Sequence, residues 1–222
     1  MLEFPPRIDV ARTLVFLPGF MTAPQSYITL LRPVADAGVH VVVPSLYSRG
    51  LGTLLGRVSV MEEAERACDV VESICTQAAE REIFIGGHSR GGQAALRVAR
   101  TLGGEVLAGL VLVDPVDGHG RNPGQRSATI EISSSAMTTL IVGAGVGGRC
   151  APVAVNHDRF AEAIPNARHV IVSELGHADL LDDKPRVAGR RLCGGALNPD
   201  LGRLACTELI AWAVLDNCVS EP

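Results

Sequence analysis

The segment Gly87-His88-Ser89-Arg90-Gly91 has residue types and a spacing that suit nucleophilic chemistry. It follows a predicted strand and precedes a helical stretch, which is the setting in which a Gly-x-Ser-x-Gly pattern is specific. Glycines on both sides of the serine allow close backbone approach in a tight turn and leave the hydroxyl exposed. We therefore predict that Ser89 is a nucleophile; the alternative is a glycine-rich turn without chemistry.

A serine hydroxyl is a poor nucleophile near neutral pH and needs a base that a third group orients. The chain order expected for a strand-turn-helix serine is nucleophile, acid, histidine. His177 comes after the last predicted strand and before a C-terminal helix, so we predict that it is the base. His157 also follows Ser89 in a predicted loop and is the competing candidate.

Asp114 is the predicted acid, because it ends a strand directly before Pro115 and so lies at the same edge as the nucleophile. An Asp-Pro turn without catalytic function is the alternative interpretation. Asp117 and Asp158 are the other candidates for the acid. Three further aspartates are interpreted as a solvated cluster at a helix start: Asp179, Asp182 and Asp183.

An acyl-transfer site also needs hydrogen-bond donors for the oxyanion of the tetrahedral intermediate. The backbone N–H of Arg90, directly after the serine, is one predicted donor. The second is expected after the first predicted strand, from the backbone of Phe20, with Met21 as the alternative donor. The side chain of Met21 is also predicted to contact the substrate.

The elements that must position these residues are short apolar strands in alternation with helices. The predicted strands cover residues 13–17, 39–43, 82–87, 107–114, 138–145 and 169–173, and the predicted helices cover 61–79, 93–101 and 204–215. This alternation is typical of an α/β fold with a mostly parallel, doubly wound sheet and helices on both faces. Functional groups then collect at the carboxyl ends of the strands.

The composition is that of a compact globular chain, with 222 residues and 47% hydrophobic residues, and a single domain over 1–222 is expected. A net charge of −4 without a cluster of basic residues argues against nucleic acid as a partner. Neither a cleavable signal nor a membrane span is expected, since the longest apolar run is far too short to cross a bilayer. The oligomeric state is left open.

Six cysteines permit disulfides without establishing them. Cys68 and Cys75 are seven residues apart on a predicted helix, roughly 10 Å between Cα atoms, which is too far for a disulfide. Cys150 and Cys193 lie in glycine-rich loops, and either a disulfide or two free thiols fits the sequence. No metal site and no cofactor are expected, because no Cys or His group has zinc-binding spacing.

Taken together, the motifs resemble those of the chlorophyllase family of α/β-hydrolases along nearly the whole chain. The resemblance is carried by four blocks: Gly87-His88-Ser89-Arg90-Gly91-Gly92; Val113-Asp114-Pro115-Val116; Cys150-Ala151-Pro152 with Val155-Asn156-His157-Asp158-Arg159-Phe160; and Gly176-His177-Ala178-Asp179-Leu180-Leu181-Asp182-Asp183. It implies the α/β-hydrolase fold and a catalytic triad of Ser89, Asp114 and His177. One departure lies after the first predicted strand, where family members commonly have His-Gly. This chain has Pro18-Gly19 there, a form similar to polyester-cleaving and cutinase-like hydrolases.

The resemblance further implies a lipophilic ester substrate, chlorophyll or pheophytin, cleaved at the phytyl ester. It implies a chloroplast or another pigment-containing compartment, with transient contact with pigment-bearing membranes; the alternative location is the cytoplasm. The short insertions at 46–57, 117–136 and 184–203 are expected not to form a large lid domain. The alternative functions are a generalist carboxylesterase, lipase or polyester hydrolase, and a catalytically silent pigment-binding protein.

Overall fold

A seven-stranded sheet forms the centre of the molecule in a computed structural model that describes residues 1–8, 11–46, 60–77, 81–117 and 137–216. The strands are β1 (Leu2–Phe4), β2 (Arg12–Leu17), β3 (His40–Val43), β4 (Glu82–His88), β5 (Gly109–Val113), β6 (Thr138–Val146) and β7 (Arg168–Gly176). Their order in the sheet is β1-β3-β2-β4-β5-β6-β7. Only β1 is antiparallel to its neighbour among these strands; every other pairing is parallel.

Helices cover both faces of the sheet. They are α1 (Ile28–Asp36), α2 (Val60–Gln77), α3 (Arg90–Leu102), α4 (His157–Ala163), α5 (Asp183–Cys193) and α6 (Pro199–Leu215). Short 3-10 turns occupy Pro24–Tyr27 and His177–Leu180. The predicted mostly parallel sheet with helices on both faces is therefore confirmed.

The two faces follow from the alternation of side chains along each strand. On β2, Leu14 and Phe16 pack into a buried cluster with α1 and α6. Val15 and Leu17 point the other way and pack against α2, α3 and α4. All four side chains are inaccessible to solvent, which explains why the strand has a continuous apolar sequence.

The sequence did not reveal β1, α1 or α5. Residues 184–203, expected to be a short insertion without a large lid, consist of α5, a five-residue connection and the start of α6. Pro185 lies in the first turn of α5, where a missing N–H has no intrahelical acceptor to lose, so the proline does not break the helix. The insertion at 46–57 lies outside the described residues except for Leu46, and the insertion at 117–136 lies outside them except for Asp117.

Candidate active site

Ser89 lies in a strained turn between β4 and α3. Its φ is 55° and its ψ is −126°, a conformation that a residue with a side chain rarely adopts. A Cβ atom on Gly87 would come within 2.4 Å of the Gly91 carbonyl oxygen, and one on Gly91 within 2.2 Å of the Leu17 oxygen. Both glycines are therefore required sterically, because no side chain fits where the turn crosses its neighbours.

Ser89, His177 and Asp114 form one hydrogen-bonded chain. The His177 Nε2 atom lies 3.1 Å from Ser89 Oγ, and its Nδ1 atom lies 2.6 Å from Asp114 Oδ2. The three residues directly follow β4, β5 and β7, so the parallel sheet brings their side chains to one edge. This arrangement can transfer the serine proton to the imidazole while the carboxylate holds the ring.

The Asp114 carboxylate is almost completely buried and is held from two sides. Its Oδ1 atom accepts a hydrogen bond from the backbone N–H of Ala144 at 3.1 Å. Burial by itself raises the pKa of Asp114, but the hydrogen bond and charge of His177 and the Ala144 N–H lower it below its ordinary value overall. Asp114 is therefore ionised at neutral pH and can stabilise an imidazolium.

The competing candidates have other partners in the structure. His157 Nδ1 lies 2.9 Å from His169 Nε2 and 3.2 Å from a carboxylate oxygen of Asp158. Asp117 accepts a hydrogen bond from the Gln93 side chain at 2.7 Å. Neither His157 nor the two alternative aspartates contribute to the hydrogen-bonded chain at Ser89.

The interpretation of Asp179 as part of a solvated cluster was wrong. Its side chain is fully buried, pairs with Arg190, and accepts the backbone N–H groups of Gly176 and Ala196 at 2.9 and 2.8 Å. These contacts fix the turn that carries His177. The spacing of Asp179 two residues after the histidine was the available signal, but Arg190 and Ala196 lie further along the chain.

Asp182 also differs from that interpretation, whereas Asp183 agrees with it. Asp182 is buried, accepts the backbone N–H of Thr29 at 2.9 Å, and pairs with Arg203 at 3.1 Å. Asp183 is the first residue of α5 and has a positive φ of 48°. Asp182 therefore connects the start of α5 to α1 and α6, and Asp183 alone is exposed at the start of a helix.

The loop after β2, which carries the predicted oxyanion residues, is held by a buried tyrosine that sequence reasoning missed. Tyr27 Oη accepts the Gly19 N–H at 2.8 Å and lies 3.1 Å from Thr22 Oγ1 and 2.8 Å from His88 Nδ1. Burial raises the pKa of Tyr27 to about 12, so the phenol stays neutral. Tyr27 thereby joins the loop of Phe20 and Met21 to the turn of Ser89.

His88 is buried next to the candidate base. Its ring centroid lies 4.7 Å from that of His177. Burial, and then the charge of His177, lower the pKa of His88 to about 3, so it is neutral at ordinary pH. A neutral ring at this position adds no second positive charge when His177 accepts a proton.

Ser89 and His177 line a cavity of about 630 Å³ with a largely apolar wall. Its lining residues include Phe20, Met21, Arg90, Val116, Arg149, Leu181 and Leu192. The Arg90 side chain stacks over the Phe20 ring with 5.1 Å between the guanidinium carbon and the ring centroid. It also pairs with the buried Glu63 at 3.0 Å. Arg90 thus connects the predicted oxyanion loop to α2.

Cys150 and Cys193, which the sequence left as either a disulfide or two thiols, form a disulfide in the wall of this cavity. The bond joins the loop after β6 to the last residue of α5. Cys68 and Cys75 are both free thiols. The prediction that Cys68 and Cys75 do not form a disulfide with each other is therefore confirmed.

Among the described helices, none combines the length and the apolar character needed to cross a membrane.

Comparison with known proteins identifies a family. The sequence profile described as Chlorophyllase matches residues 4–198. "Chlorophyllase-1, chloroplastic" of Citrus unshiu is 29% identical over 192 residues, covering 78% of this chain and 56% of the relative. "Chlorophyllase-2" of Arabidopsis thaliana is 27% identical over 197 residues, covering 76% and 60%. The match thus spans less than two thirds of the length of these relatives.

Solved structures show the same fold. An alpha-beta serine hydrolase homologue from Coxiella burnetii superposes with a TM-score of 0.66 at 16% identity, covering 94% of this chain and 90% of that one. Est1E from Butyrivibrio proteoclasticus, solved with ferulic acid, gives a TM-score of 0.63 at 14% identity, covering 95% and 94%. The predicted α/β-hydrolase fold is therefore confirmed.

Proposed function

The chain belongs to the chlorophyllase family, and from this premise we propose that it is a serine ester hydrolase that cleaves the phytyl ester of chlorophyll or pheophytin. The observation that carries the proposal is the chain Ser89–His177–Asp114, hydrogen-bonded at 3.1 and 2.6 Å beside an apolar cavity. Serine, imidazole and carboxylate in this order form the arrangement that acyl transfer requires.

In the first half of the proposed reaction, Ser89 Oγ attacks the carbonyl carbon of the propionate ester and its proton passes to His177 Nε2. The ionised Asp114 holds the ring and stabilises the imidazolium. The N–H groups of Phe20 and Arg90 are the proposed donors to the oxyanion. When the tetrahedral intermediate collapses, the alkoxy group takes the proton from His177 and leaves as phytol, and the pigment acid remains esterified to Ser89.

In the second half, water enters and His177 accepts its proton as the water oxygen attacks the acyl carbon. The bond to Ser89 Oγ then breaks, Ser89 recovers its proton from His177, and chlorophyllide is released. Every proton in both halves therefore passes through the same imidazole.

The character of the cavity supports a lipophilic ester. Its volume of about 630 Å³ lies within the range of small-molecule sites, and Met21, Leu181 and Leu192 present apolar side chains to it. Met21 and Leu192 are half or more exposed, so they extend the apolar surface to the mouth of the cavity. The chloroplast is the proposed location, because the name of the Citrus relative gives that location for that protein.

The test compares release of chlorophyllide from chlorophyll a with hydrolysis of p-nitrophenyl esters of several chain lengths. We expect both activities, with kcat for each falling on the order of 10⁶-fold in Ser89→Ala and in His177→Ala. A fluorophosphonate probe should label the wild type and leave Ser89→Ala unlabelled.

Hydrolysis of p-nitrophenyl esters without chlorophyllide release would replace the specific proposal with a generalist carboxylesterase. An unlabelled wild type without either activity would instead indicate a silent pigment-binding protein.

A further inference from the structure

Three side chains with metal-binding atoms meet where α4 begins and β7 begins. They are His157, Asp158 and His169, and their ligand atoms all lie within 4.8 Å of one another. His157 Nδ1 lies 2.9 Å from His169 Nε2 and 3.2 Å from Asp158 Oδ1. The proposed mechanism of ester cleavage uses none of these groups.

Two of the side chains are held in position before any ligand arrives. The His157 ring is buried and lies directly on β6, where a Cβ atom on Gly143 would come within 2.5 Å of it. Asn156 caps α4 by accepting the Asp158 N–H at 3.0 Å. Its side-chain amide also contacts the second carboxylate oxygen of Asp158 at 3.3 Å, which leaves Oδ1 directed towards His157.

The cluster is chemically suited to a cation. The Asp158 side chain is 43% exposed, so an ion can reach the group from solvent. With metal–nitrogen bonds of about 2.1 Å, ring nitrogens 2.9 Å apart subtend roughly 90° at the ion, so a tetrahedral zinc ion requires the two nitrogens to separate to about 3.4 Å.

We propose that His157, Asp158 and His169 form a binding site for a divalent transition-metal ion such as Zn²⁺. A ligand set of two imidazoles and one carboxylate suits zinc and its neighbours in the first transition series better than it suits Mg²⁺ or Ca²⁺. A bound ion links the first turn of α4 to the first strand residues of β7. The sequence indicated no metal site, because the two histidines are twelve residues apart in separate elements.

The test uses the full chain, stripped with a chelator and dialysed, and titrated with ZnCl₂ by calorimetry. We expect one equivalent to bind the wild type and to raise its Tm. In His169→Gln and in Asp158→Asn, the affinity should fall by more than the roughly 10–100-fold that losing an outer-sphere partner costs. The matched control is His40→Gln, a histidine on β3 near Glu3 that should leave zinc affinity unchanged.

Cobalt gives an independent readout, because Co²⁺ bound by imidazole and carboxylate absorbs in the visible range and should do so in the wild type and in His40→Gln only. Asp158→Asn keeps the size of the side chain, so its circular dichroism shows whether a loss of binding is separate from a loss of fold. Equal zinc affinity in the wild type, His169→Gln and Asp158→Asn would overturn the proposal. Absence of zinc binding to the wild type would also overturn it, leaving a hydrogen-bonded histidine pair.

Discussion

Asp114 combines a buried carboxylate with a positive φ of 40°, and these two properties make different demands on the residue type. The backbone conformation is one that aspartate and asparagine tolerate better than most residues do. The carboxylate must be ionised to hold the His177 ring. A change from Asp to Asn therefore removes the charge while it preserves the turn.

In Asp114→Asn, we expect kcat for ester hydrolysis to fall by about 10⁴-fold through the wrong imidazole tautomer. Steady-state kinetics on a p-nitrophenyl ester measures the change. Asp117→Asn is the matched control, since Asp117 is also buried but accepts its hydrogen bond from Gln93. A comparable loss in Asp117→Asn or in Asp158→Asn, with Asp114→Asn active, would reassign the acid.

Because His88 is buried and neutral, we expect the folded chain to lose stability in acid. Its pKa is about 3 in the folded chain and 6.5 ordinarily, so the unfolded chain binds an extra proton between these pH values. The free energy of unfolding therefore has its full value above about pH 6.5. It falls as the pH decreases towards 3, by at most about 1.4 kcal/mol for each pH unit.

Urea unfolding between pH 7 and pH 4 tests this expectation by comparing the wild type with His88→Asn. The variant should be less stable at pH 7, because it lacks the contact with Tyr27, yet its stability should depend less steeply on pH. Parallel pH profiles for the two proteins would show that His88 is not the group responsible.

At the scale of elements, the turn between β4 and α3 depends on glycines with neighbours on every side. A Cβ atom on Gly91 would lie 2.2 Å from the Leu17 carbonyl oxygen. That oxygen belongs to the backbone and cannot simply rotate away. The strand end and the helix start can approach this closely only if the position carries no side chain.

Gly91→Ala should therefore lower the free energy of unfolding by at least the roughly 1–3 kcal/mol of an overpacked site, and it should displace Ser89. Denaturant unfolding and fluorophosphonate labelling measure the two effects. Gly104→Ala is the control, because a Cβ at Gly104 meets nothing within 4 Å. Equal stability and labelling in the two variants would contradict the steric argument.

Two helices that sequence patterns did not reveal, α1 and α5, each contain a proline. Pro33 lies inside α1 and Pro185 lies in the first turn of α5. The apolar side of α1 packs into the core through Leu30, Leu31 and Val34, and this burial outweighs the unfavourable local preference. The central strands were predicted more reliably than these two helices, because a continuous apolar run contains no residue whose unfavourable local preference must be offset by burial.

At the scale of the whole molecule, the Cys150–Cys193 disulfide closes a loop with a sequence separation of 43 residues. That loop includes α4 and β7 and the turn that carries His177. Because both cysteines line the cavity, the bond holds its wall in addition to restricting the unfolded chain.

Removal of the bond in a Cys150→Ala, Cys193→Ala variant should lower the free energy of unfolding by up to about 4 kcal/mol, the loop-entropy value for this separation. The KM for ester substrates should rise with it. Cys75→Ala is the control, since Cys75 is a free thiol on α2. Unchanged unfolding in the double variant would show that the disulfide does not constrain the chain.

The sequence by itself determined the alternation of strands and helices, the glycine-serine turn, the family resemblance and three candidate residues at strand ends. These are local properties, since each can be read from neighbouring residues. Only the tertiary structure placed Asp114 instead of Asp117 or Asp158 behind His177, joined Cys150 to Cys193 and buried Asp179 under the histidine turn. It decided these points because each depends on a distance between atoms far apart along the chain, which the packing of helices on the sheet sets.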